Sequence, residues 1–568
     1  MSSRRLGSHF VPSMAIGLAC AAAYLAVWSA DYVQWDDDVF ILSNPILNLP
    51  FLEAVSLAFT RFFHGDYLPL TLMSYWLEVA VFGVNPTVQH VVNFALHLLN
   101  VGLIGLIVAR LFGTPPLTWF VAVVFALHPL QSEPVMWVSE RKGLLATTLA
   151  LSAAWFSLQA EGERRPRYIL FYLLSFALAL LAKASVVLLP LLLLIGERGW
   201  PSLWRKHLLA LTLSGVLIGV RFFAYFQSAP SLRAQMESTN YWARMPVSVL
   251  NALGFYLRSF LWPLEQSIIY PPFHLGTDLV LNLVVLLLGI LGVGWCWRST
   301  RIRGRDRGAS DPASGLGTGS VSGPVPVPAN ALGSYDHRFI FFSLLILVPL
   351  FPALPWIPRL SYVNDRYLYL SCAGLAGLVY LCLERRLPNR ALKSIWMAAL
   401  LVLIYPTHSR SRVWRTNLTL WEDAAAKMPA SALVHLNLGL EKLRSGDSKG
   451  AWQSFESSAR FGESDGVSAL AYSNLAMMAS DPSQPERFHL PMAYGLFERA
   501  LSFPAAPADR YTIRFNQAVL LRQMNRAGES RKALQALSQE LAETSDLRLL
   551  PIYKAVNDQL ASLARIGL

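Results

Sequence analysis

Charged residues are scarce in this chain of 568 residues, because Asp, Glu, Lys and Arg together make up 15% of it. An average soluble domain has about 25%. The hydrophobic share is 54%, and the mean hydropathy is +0.40. Apolar stretches of about 20 residues recur, and such a stretch crosses a bilayer as a helix that satisfies its own backbone hydrogen bonds. The composition therefore predicts a membrane protein.

Cysteine is also rare, with four residues that lie in or at the ends of apolar segments: Cys20, Cys296, Cys372 and Cys382. Their positions show neither a disulfide framework nor zinc-ligand spacing. A glycine-rich loop that would cradle nucleotide phosphates is missing as well. These absences argue against a disulfide-stapled secreted domain, a zinc module and a nucleotide-dependent enzyme.

Acidic residues are outnumbered by basic ones, which gives a net charge of +12. The basic clusters fall mostly in short loops between apolar segments, where the positive-inside bias places them. We therefore attribute the charge to membrane topology and expect no nucleic-acid partner. The predicted cytoplasmic loops are 110–116, 161–167, 197–206, 298–307 and 384–393.

The apolar pattern predicts eleven spans, with the N-terminus in the cytoplasm as a retained signal anchor. They are 11–30, 88–110, 115–128, 143–160, 167–182, 184–197, 206–226, 275–297, 338–356, 367–384 and 391–407. We interpret 244–262 as an outer-face interfacial or re-entrant helix, because Arg258 would be costly at mid-bilayer. Residues 305–336 are rich in Gly, Ser and Pro and predict a disordered cytoplasmic linker.

From residue 414 onward the apolar runs give way to short amphipathic helices. Gly439, Gly446, Ala451 and Phe455 follow the small-residue and aromatic spacing of a tetratricopeptide repeat. Residues 414–568 therefore predict a soluble α-solenoid, which usually binds peptide or protein. A plain helical bundle is the alternative. An odd number of spans would place this domain on the outer face.

The predicted outer face also collects three consecutive carboxylates, Asp36 to Asp38, in the stretch YVQWDDDVFILSNP. Carboxylates of this kind suit a general base. Five cations suit a phosphate, and they are Arg141, Lys142, Lys183, Arg258 and Arg366.

Several candidate residues on the predicted outer face also have a structural interpretation. The Asp cluster fits a solvated loop or a helix N-cap, Arg366 an interfacial anchor and His128 a cap before proline. Lys183 interrupts an apolar run and needs a partner if it is buried.

Four stretches carry a family resemblance: WDDDVFILSNP, HPLQSEPVMWVSERKGLLA, NDRYLYL and RSRVWRTNLTLWEDA. Together they resemble, in order, conserved segments of the transmembrane and tetratricopeptide-repeat (TMTC) O-mannosyltransferases and their bacterial relatives. The resemblance implies a GT-C fold over residues 1–407, all α-helical, in which a membrane helical bundle takes sugar from a polyprenyl-phosphate carrier. It implies that Asp36 and Asp37 form the catalytic pair.

Further roles follow from this resemblance. The five cations are expected to bind the donor phosphate, and His128, Glu133, Tyr67 and Tyr367 to contact substrate. The chain departs from the family at Leu68, Gly143 and Ser371. The expected reaction is an inverting transfer that requires neither a cofactor nor a divalent metal.

The resemblance and the topology together imply a bacterial inner-membrane enzyme with periplasmic repeats that bind a protein acceptor. The expected donor is a polyprenyl-phosphate sugar, with mannose as the first candidate. Two alternatives remain open at this point. One keeps the chemistry with a glycolipid or polysaccharide acceptor, and the other is a non-enzymatic, membrane-anchored repeat scaffold.

Overall fold

The computed structural model describes residues 3–63, 65–160, 165–196, 200–228, 239–270, 277–308, 335–356, 363–462, 466–544 and 549–565. Within these ranges every regular element is a helix, and the one β-type pairing is an isolated bridge between Phe63 and Asp66. The all-α prediction is confirmed there. The chain divides into two compact units, Met1–Thr416 and Asn417–Leu568.

The first unit is a helical bundle. In the described ranges its α-helices are α1 (Ser3–Ala23), α2 (Phe51–Thr60), α3 (Pro69–Phe82), α4 (Pro86–Phe112), α5 (Pro115–Leu127), α6 (Ser132–Met136), α7 (Arg141–Leu158), α8 (Arg165–Ala182), α9 (Leu189–Gly196), α10 (Trp200–Ser228), α11 (Thr239–Leu261), α12 (Thr277–Gly308), α13 (Tyr335–Leu350), α14 (Ser371–Glu384) and α15 (Asn389–Val413).

Helix α4 shows how local sequence sets these boundaries. Pro86 occupies its first turn, where a missing N–H costs nothing. The Asn85 side chain accepts a hydrogen bond from the Val88 N–H at 3.3 Å. Gly113 ends the helix in the left-handed conformation at φ 61°. The 27 residues between these signals extend about 40 Å, which is enough to cross a bilayer.

Three helices in the described ranges are long and apolar enough to span a membrane: Pro86–Phe112, Arg165–Ala182 and Asn389–Val413. Each of the eleven predicted spans overlaps a helix, but several of these helices are shorter than about 20 residues. The number of spans therefore stays a prediction.

Several predicted boundaries differ from the structure. Helix α1 ends at Ala23, whereas the predicted span continues to residue 30, and a 3-10 turn follows at Leu25–Trp28. The predicted interfacial segment 244–262 lies almost entirely within the longer helix α11. Residues 305–308 end helix α12 instead of starting the linker. The linker prediction otherwise falls largely on residues 309–334, which lie outside the described residues.

Short helical turns near the ends of the longer helices carry many polar side chains of this unit. They are Asp38–Leu42 (a π-helical turn), Pro129–Gln131, Val138–Glu140 and Asp365–Leu368. The stretch from Leu127 to Arg141 is buried throughout. Because buried backbone and side-chain polar groups need partners, this stretch is tied to its neighbours by many polar contacts.

The second unit consists, in its described ranges, of α16 (Asn417–Lys427), α17 (Ala432–Arg444), α18 (Ser448–Phe461), α19 (Gly466–Ala479), α20 (Leu490–Leu501), α21 (Pro507–Gln523), α22 (Ala527–Ala542) and α23 (Leu550–Arg565). Ala451 and Phe455 are buried in one cluster, and Ala493, Phe497 and Ala500 in the next. Ala451 and Phe455 thus face helix contacts, as their spacing predicts. The assignment to tetratricopeptide repeats stays a prediction.

Gly439 provides a test of this packing, because a Cβ there would lie 2.6 Å from the Phe455 ring. We expect Gly439→Ala to lower the free energy of unfolding by about 1–3 kcal/mol through overpacking. Gly528→Ala is the matched control, since a Cβ at Gly528 meets nothing within 4 Å. Thermal unfolding of the purified chain would measure both variants. Equal melting temperatures would contradict the close packing of α17 on α18.

Candidate functional site

Asp36 and Asp37 follow helix α1 and immediately precede the π-helical turn Asp38–Leu42. The buried Asp37 carboxylate accepts hydrogen bonds from the Val33 N–H at 3.0 Å, and from the N–H and hydroxyl of Ser139 at 2.9 and 2.5 Å. The Asp36 side chain is 40% exposed, and its Oδ2 lies 3.9 Å from Lys142 Nζ. Asp37 therefore anchors the loop, whereas Asp36 is accessible.

Burial raises the pKa of the Asp37 carboxyl to about 7, against the hydrogen bonds from Ser139 and Val33. Burial also raises the pKa of Asp36 above its ordinary value, against the attraction of Lys142 and Arg366. A carboxylate with a raised pKa is the stronger base once it is ionised. Because Asp36 combines a raised pKa with solvent access, it is better placed than Asp37 to take a proton.

The Arg366 side chain is held by groups on the stretch 129–140. Its Nη1 lies 2.6 Å from Glu133 Oε1, and its Nε lies 3.9 Å from Glu140 Oε2. Its Cζ lies 4.9 Å from the centroid of the Trp137 ring. The Arg366 backbone N–H also donates to Glu133 Oε2 at 3.2 Å. Glu133 thus orients the guanidinium, and both its oxygens are engaged with Arg366.

Lys183 follows helix α8 and donates from Nζ to Glu140 Oε1 at 2.5 Å. This contact supplies the partner that a lysine inside an apolar run needs. Gly143, one of the positions where the chain departs from the family it resembles, leaves room for this pair. A Cβ there would overlap Glu140 Oε1 and would lie 3.5 Å from Lys183 Nζ.

Arg366, Lys183, Glu140 and Tyr367 line a cavity of about 670 Å³. Ligand pockets typically enclose about 300–1,000 Å³. Further polar groups come from Asp66, Thr147 and Ser185. Much of the remaining lining is apolar and includes Val186, Leu189, Leu192, Ile218, Val348 and Phe351. The cavity is therefore amphipathic, with two cations at its polar wall.

Arg141, predicted to bind the donor phosphate, lies elsewhere. The fully buried guanidinium donates to Asn93 Oδ1 at 2.8 Å and to the Gln89 carbonyl at 2.7 Å, and it pairs with Glu78. Tyr75 covers it, with the Arg141 Cζ 4.8 Å from the ring centroid. Tyr75 and Glu78 belong to helix α3, and Gln89 and Asn93 to helix α4. The Arg141 side chain therefore joins these two helices to α7.

Seven other predicted residues also lie outside the cavity lining: Asp36, Asp37, Lys142, Glu133, Arg258, His128 and Tyr67. Arg258 faces the exposed Glu265 at 3.9 Å. His128 caps the turn Pro129–Gln131, with Nδ1 accepting from the Leu130 N–H at 3.3 Å and Nε2 lying 2.9 Å from the Phe260 carbonyl. Tyr67 donates to the Phe59 carbonyl at 3.0 Å. The structural interpretation of His128 fits this geometry.

Trp137 and Ser139 also belong to the site, although neither is among the residues expected from the sequence. The Trp137 ring centroid lies 4.9 Å from the Arg366 Cζ and 5.8 Å from Lys142 Nζ, within the range of cation–π attraction. Trp137 could have been found from the sequence, because it lies between the candidate residues Glu133 and Arg141. Ser139 has no such signal, because only the fold brings it to Asp37.

Among the described residues, no group of three or more His, Cys, Asp or Glu side chains is arranged to hold a metal ion. The consecutive carboxylates of the Asp cluster diverge, with Asp37 turned toward Ser139 and Asp36 toward Lys142. Metal-independent chemistry stays a prediction.

Comparison with known proteins finds relatives named protein O-mannosyl-transferases. The chain is 22% identical to the Caenorhabditis elegans protein O-mannosyl-transferase F38B6.6 over 433 residues, which is 73% of this chain and 58% of that protein. It is 32% identical to protein O-mannosyl-transferase TMTC2 of Mus musculus over 148 residues, which is 24% of this chain and 17% of that protein. It is 30% identical to protein O-mannosyl-transferase TMTC1 of Homo sapiens over 168 residues, which is 27% of this chain and 18% of that protein.

The chain thus spans less than two thirds of the length of each of these relatives. No family model matches the sequence. No solved structure matches it either.

The anchoring role of Asp37 is testable by Asp37→Asn. The amide replaces one acceptor oxygen with a donor that must face Ser139 or Val33, so we expect the free energy of unfolding to fall by about 1–3 kcal/mol. Asp38→Asn is the control, because Asp38 is a partly exposed neighbour in the same loop. Thermal unfolding in detergent would compare the two variants. Equal stability of Asp37→Asn and Asp38→Asn would contradict the anchoring role of Asp37.

Proposed function

We propose that this chain is a TMTC-like membrane glycosyltransferase, which moves a sugar, with mannose as the first candidate, from a polyprenyl-phosphate carrier to a hydroxyl group of a protein acceptor. The observation that carries this proposal is the amphipathic cavity with Arg366 and Lys183 at its polar wall. The names of the relatives support the reaction class and the protein acceptor.

The donor matches the cavity in polarity, and its phosphate would bind the two cations in competition with the carboxylates that pair with them. A polyprenyl phosphodiester has one negative charge beside a long apolar chain. Arg366 and Lys183 offer a guanidinium fork and an ammonium group for the phosphate, while the lining from Val186 to Leu192 offers apolar contact for the first prenyl units. The two cations would stabilise the charge that grows on the leaving phosphate.

Asp36 is the base in this proposal. As the acceptor oxygen bonds to the anomeric carbon, its proton passes to the Asp36 carboxylate, while the bond from that carbon to the phosphate oxygen breaks. A single displacement of this kind inverts the anomeric centre. Asp37 is assigned to hold the loop, because its carboxylate already accepts hydrogen bonds from Val33 and Ser139.

The remaining assignments rest on the sequence pattern. The distribution of basic loops favours a site that faces away from the cytoplasm, in a bacterial inner membrane with periplasmic repeats. The eight described helices of the second unit, if they form repeats, would offer a concave surface to a protein acceptor.

The direct test reconstitutes the protein with polyprenyl-phosphate mannose and a periplasmic extract, and it follows both protein labelling and release of polyprenyl phosphate. We expect Asp36→Asn to lower turnover by about 100-fold or more through loss of the base. Asp38→Asn is the control and should stay near wild type. Release without protein labelling would favour a lipid or polysaccharide acceptor, and equal turnover in all three proteins would contradict the proposal.

The pH dependence of turnover gives a second test. Burial raises the pKa of Asp36 and Lys142 lowers it, and the base acts only when ionised, so kcat/KM should fall as the pH decreases through this pKa. Lys142→Met removes the lowering charge and should move the acidic limb to higher pH. Lys142→Arg keeps the charge and is the control. An acidic limb that stays in place in Lys142→Met would argue against Asp36 as the titrating base.

A further inference from the structure

Four side chains of alternating charge form a continuous row beside the cavity: Glu133, Arg366, Glu140 and Lys183. The three contacts that join them are 2.6, 3.9 and 2.5 Å long. Two positive charges therefore face two negative ones. A phosphate that binds at the polar wall must compete with carboxylates that already neutralise both cations.

Glu140 is the member of the row best placed for that competition. It lines the cavity together with Arg366 and Lys183 and contacts both of them. Its Oε2 accepts no hydrogen bond from any described residue, and Arg366 Nε lies 3.9 Å from it. Glu133, in contrast, uses both oxygens on Arg366. The Glu140 carboxylate is therefore the more easily displaced.

The reaction itself changes the charge at this wall. The donor phosphodiester has one negative charge. After transfer, the electron pair of the broken carbon–oxygen bond remains on the phosphate, and the product is a monoester with a charge of about −1.5 to −2 near neutral pH. The same two cations attract this product more strongly than the donor, which slows its release.

We propose that Glu140 is a positioning residue that competes with the product phosphate for Lys183 and Arg366, and thereby promotes release of polyprenyl phosphate. This inference rests on the proposed function. Glu140 would retreat when the donor binds and return to Lys183 as the product leaves. The return depends on Gly143, whose missing side chain leaves the space that Glu140 Oε1 occupies.

Two variants test the proposal, and both are expected to bind a phosphate monoester more tightly than the wild type. Glu140→Gln removes the competing charge at nearly constant size. Gly143→Ala places a methyl group where Glu140 Oε1 now lies, which pushes the carboxylate off Lys183. A purely structural role for either residue predicts weaker ligand binding, whereas competition predicts tighter binding.

The probe is farnesyl phosphate, a monoester, bound to the full chain in nanodiscs and followed by calorimetry. Removal of one negative charge beside the phosphate should tighten binding about tenfold in Glu140→Gln, with a smaller gain in Gly143→Ala. Farnesol, which has no phosphate, should bind all three proteins equally. In turnover assays Glu140→Gln should lower kcat and KM together.

Unchanged or weaker binding of farnesyl phosphate by Glu140→Gln would overturn the inference. Lys183→Met and Arg366→Met separate this failure from failure of the proposed function. If these two variants bind farnesyl phosphate more weakly than wild type but Glu140→Gln does not bind it more tightly, the phosphate site stands and the competition is wrong. If the wild type does not bind farnesyl phosphate, both the site and the competition are wrong.

Discussion

The pairing of Arg366 with Glu133 is the interaction on which the rest of the cavity depends. It joins the turn Asp365–Leu368 to the buried stretch 129–140, through a 2.6 Å ion pair and a backbone hydrogen bond of 3.2 Å. A charge buried at this depth is costly unless it is paired and hydrogen-bonded. The pair therefore holds Arg366 beside Trp137 and Glu140, and Glu140 in turn holds Lys183.

The types of residue at the site were predictable from the sequence, but the separate role of each residue was not. Asp36 and Asp37 are identical neighbours, so the pattern offers no reason to give them different roles. The structure separates them through Ser139, which is 102 positions from Asp37, and a contact at such a distance has no local signature. Arg141 and Lys142 differ in the same way, because Glu78 pairs with the first while the second faces Asp36.

Helix positions were largely predictable, because apolar runs, proline at first turns and glycine at helix ends act locally. The residue at which a helix ends was less predictable than the position of the helix. Helix α1 stops at Ala23 although the apolar run continues, and the 3-10 turn Leu25–Trp28 takes over with Val27 buried. In the second unit, the spacing of Gly439 and Phe455 predicted a close contact that the structure contains. The burial of Val27 depends on tertiary neighbours that a single sequence does not reveal.

We propose that the polar wall of the cavity holds a lipid phosphate. Its most direct test is a cryo-electron microscopy structure of the full chain with polyprenyl-phosphate mannose bound. We expect phosphate density within about 4 Å of both Lys183 Nζ and the Arg366 guanidinium, with the anomeric carbon facing Asp36 and the lipid along the apolar lining. Phosphate density beside Arg258, or outside the cavity altogether, would contradict it.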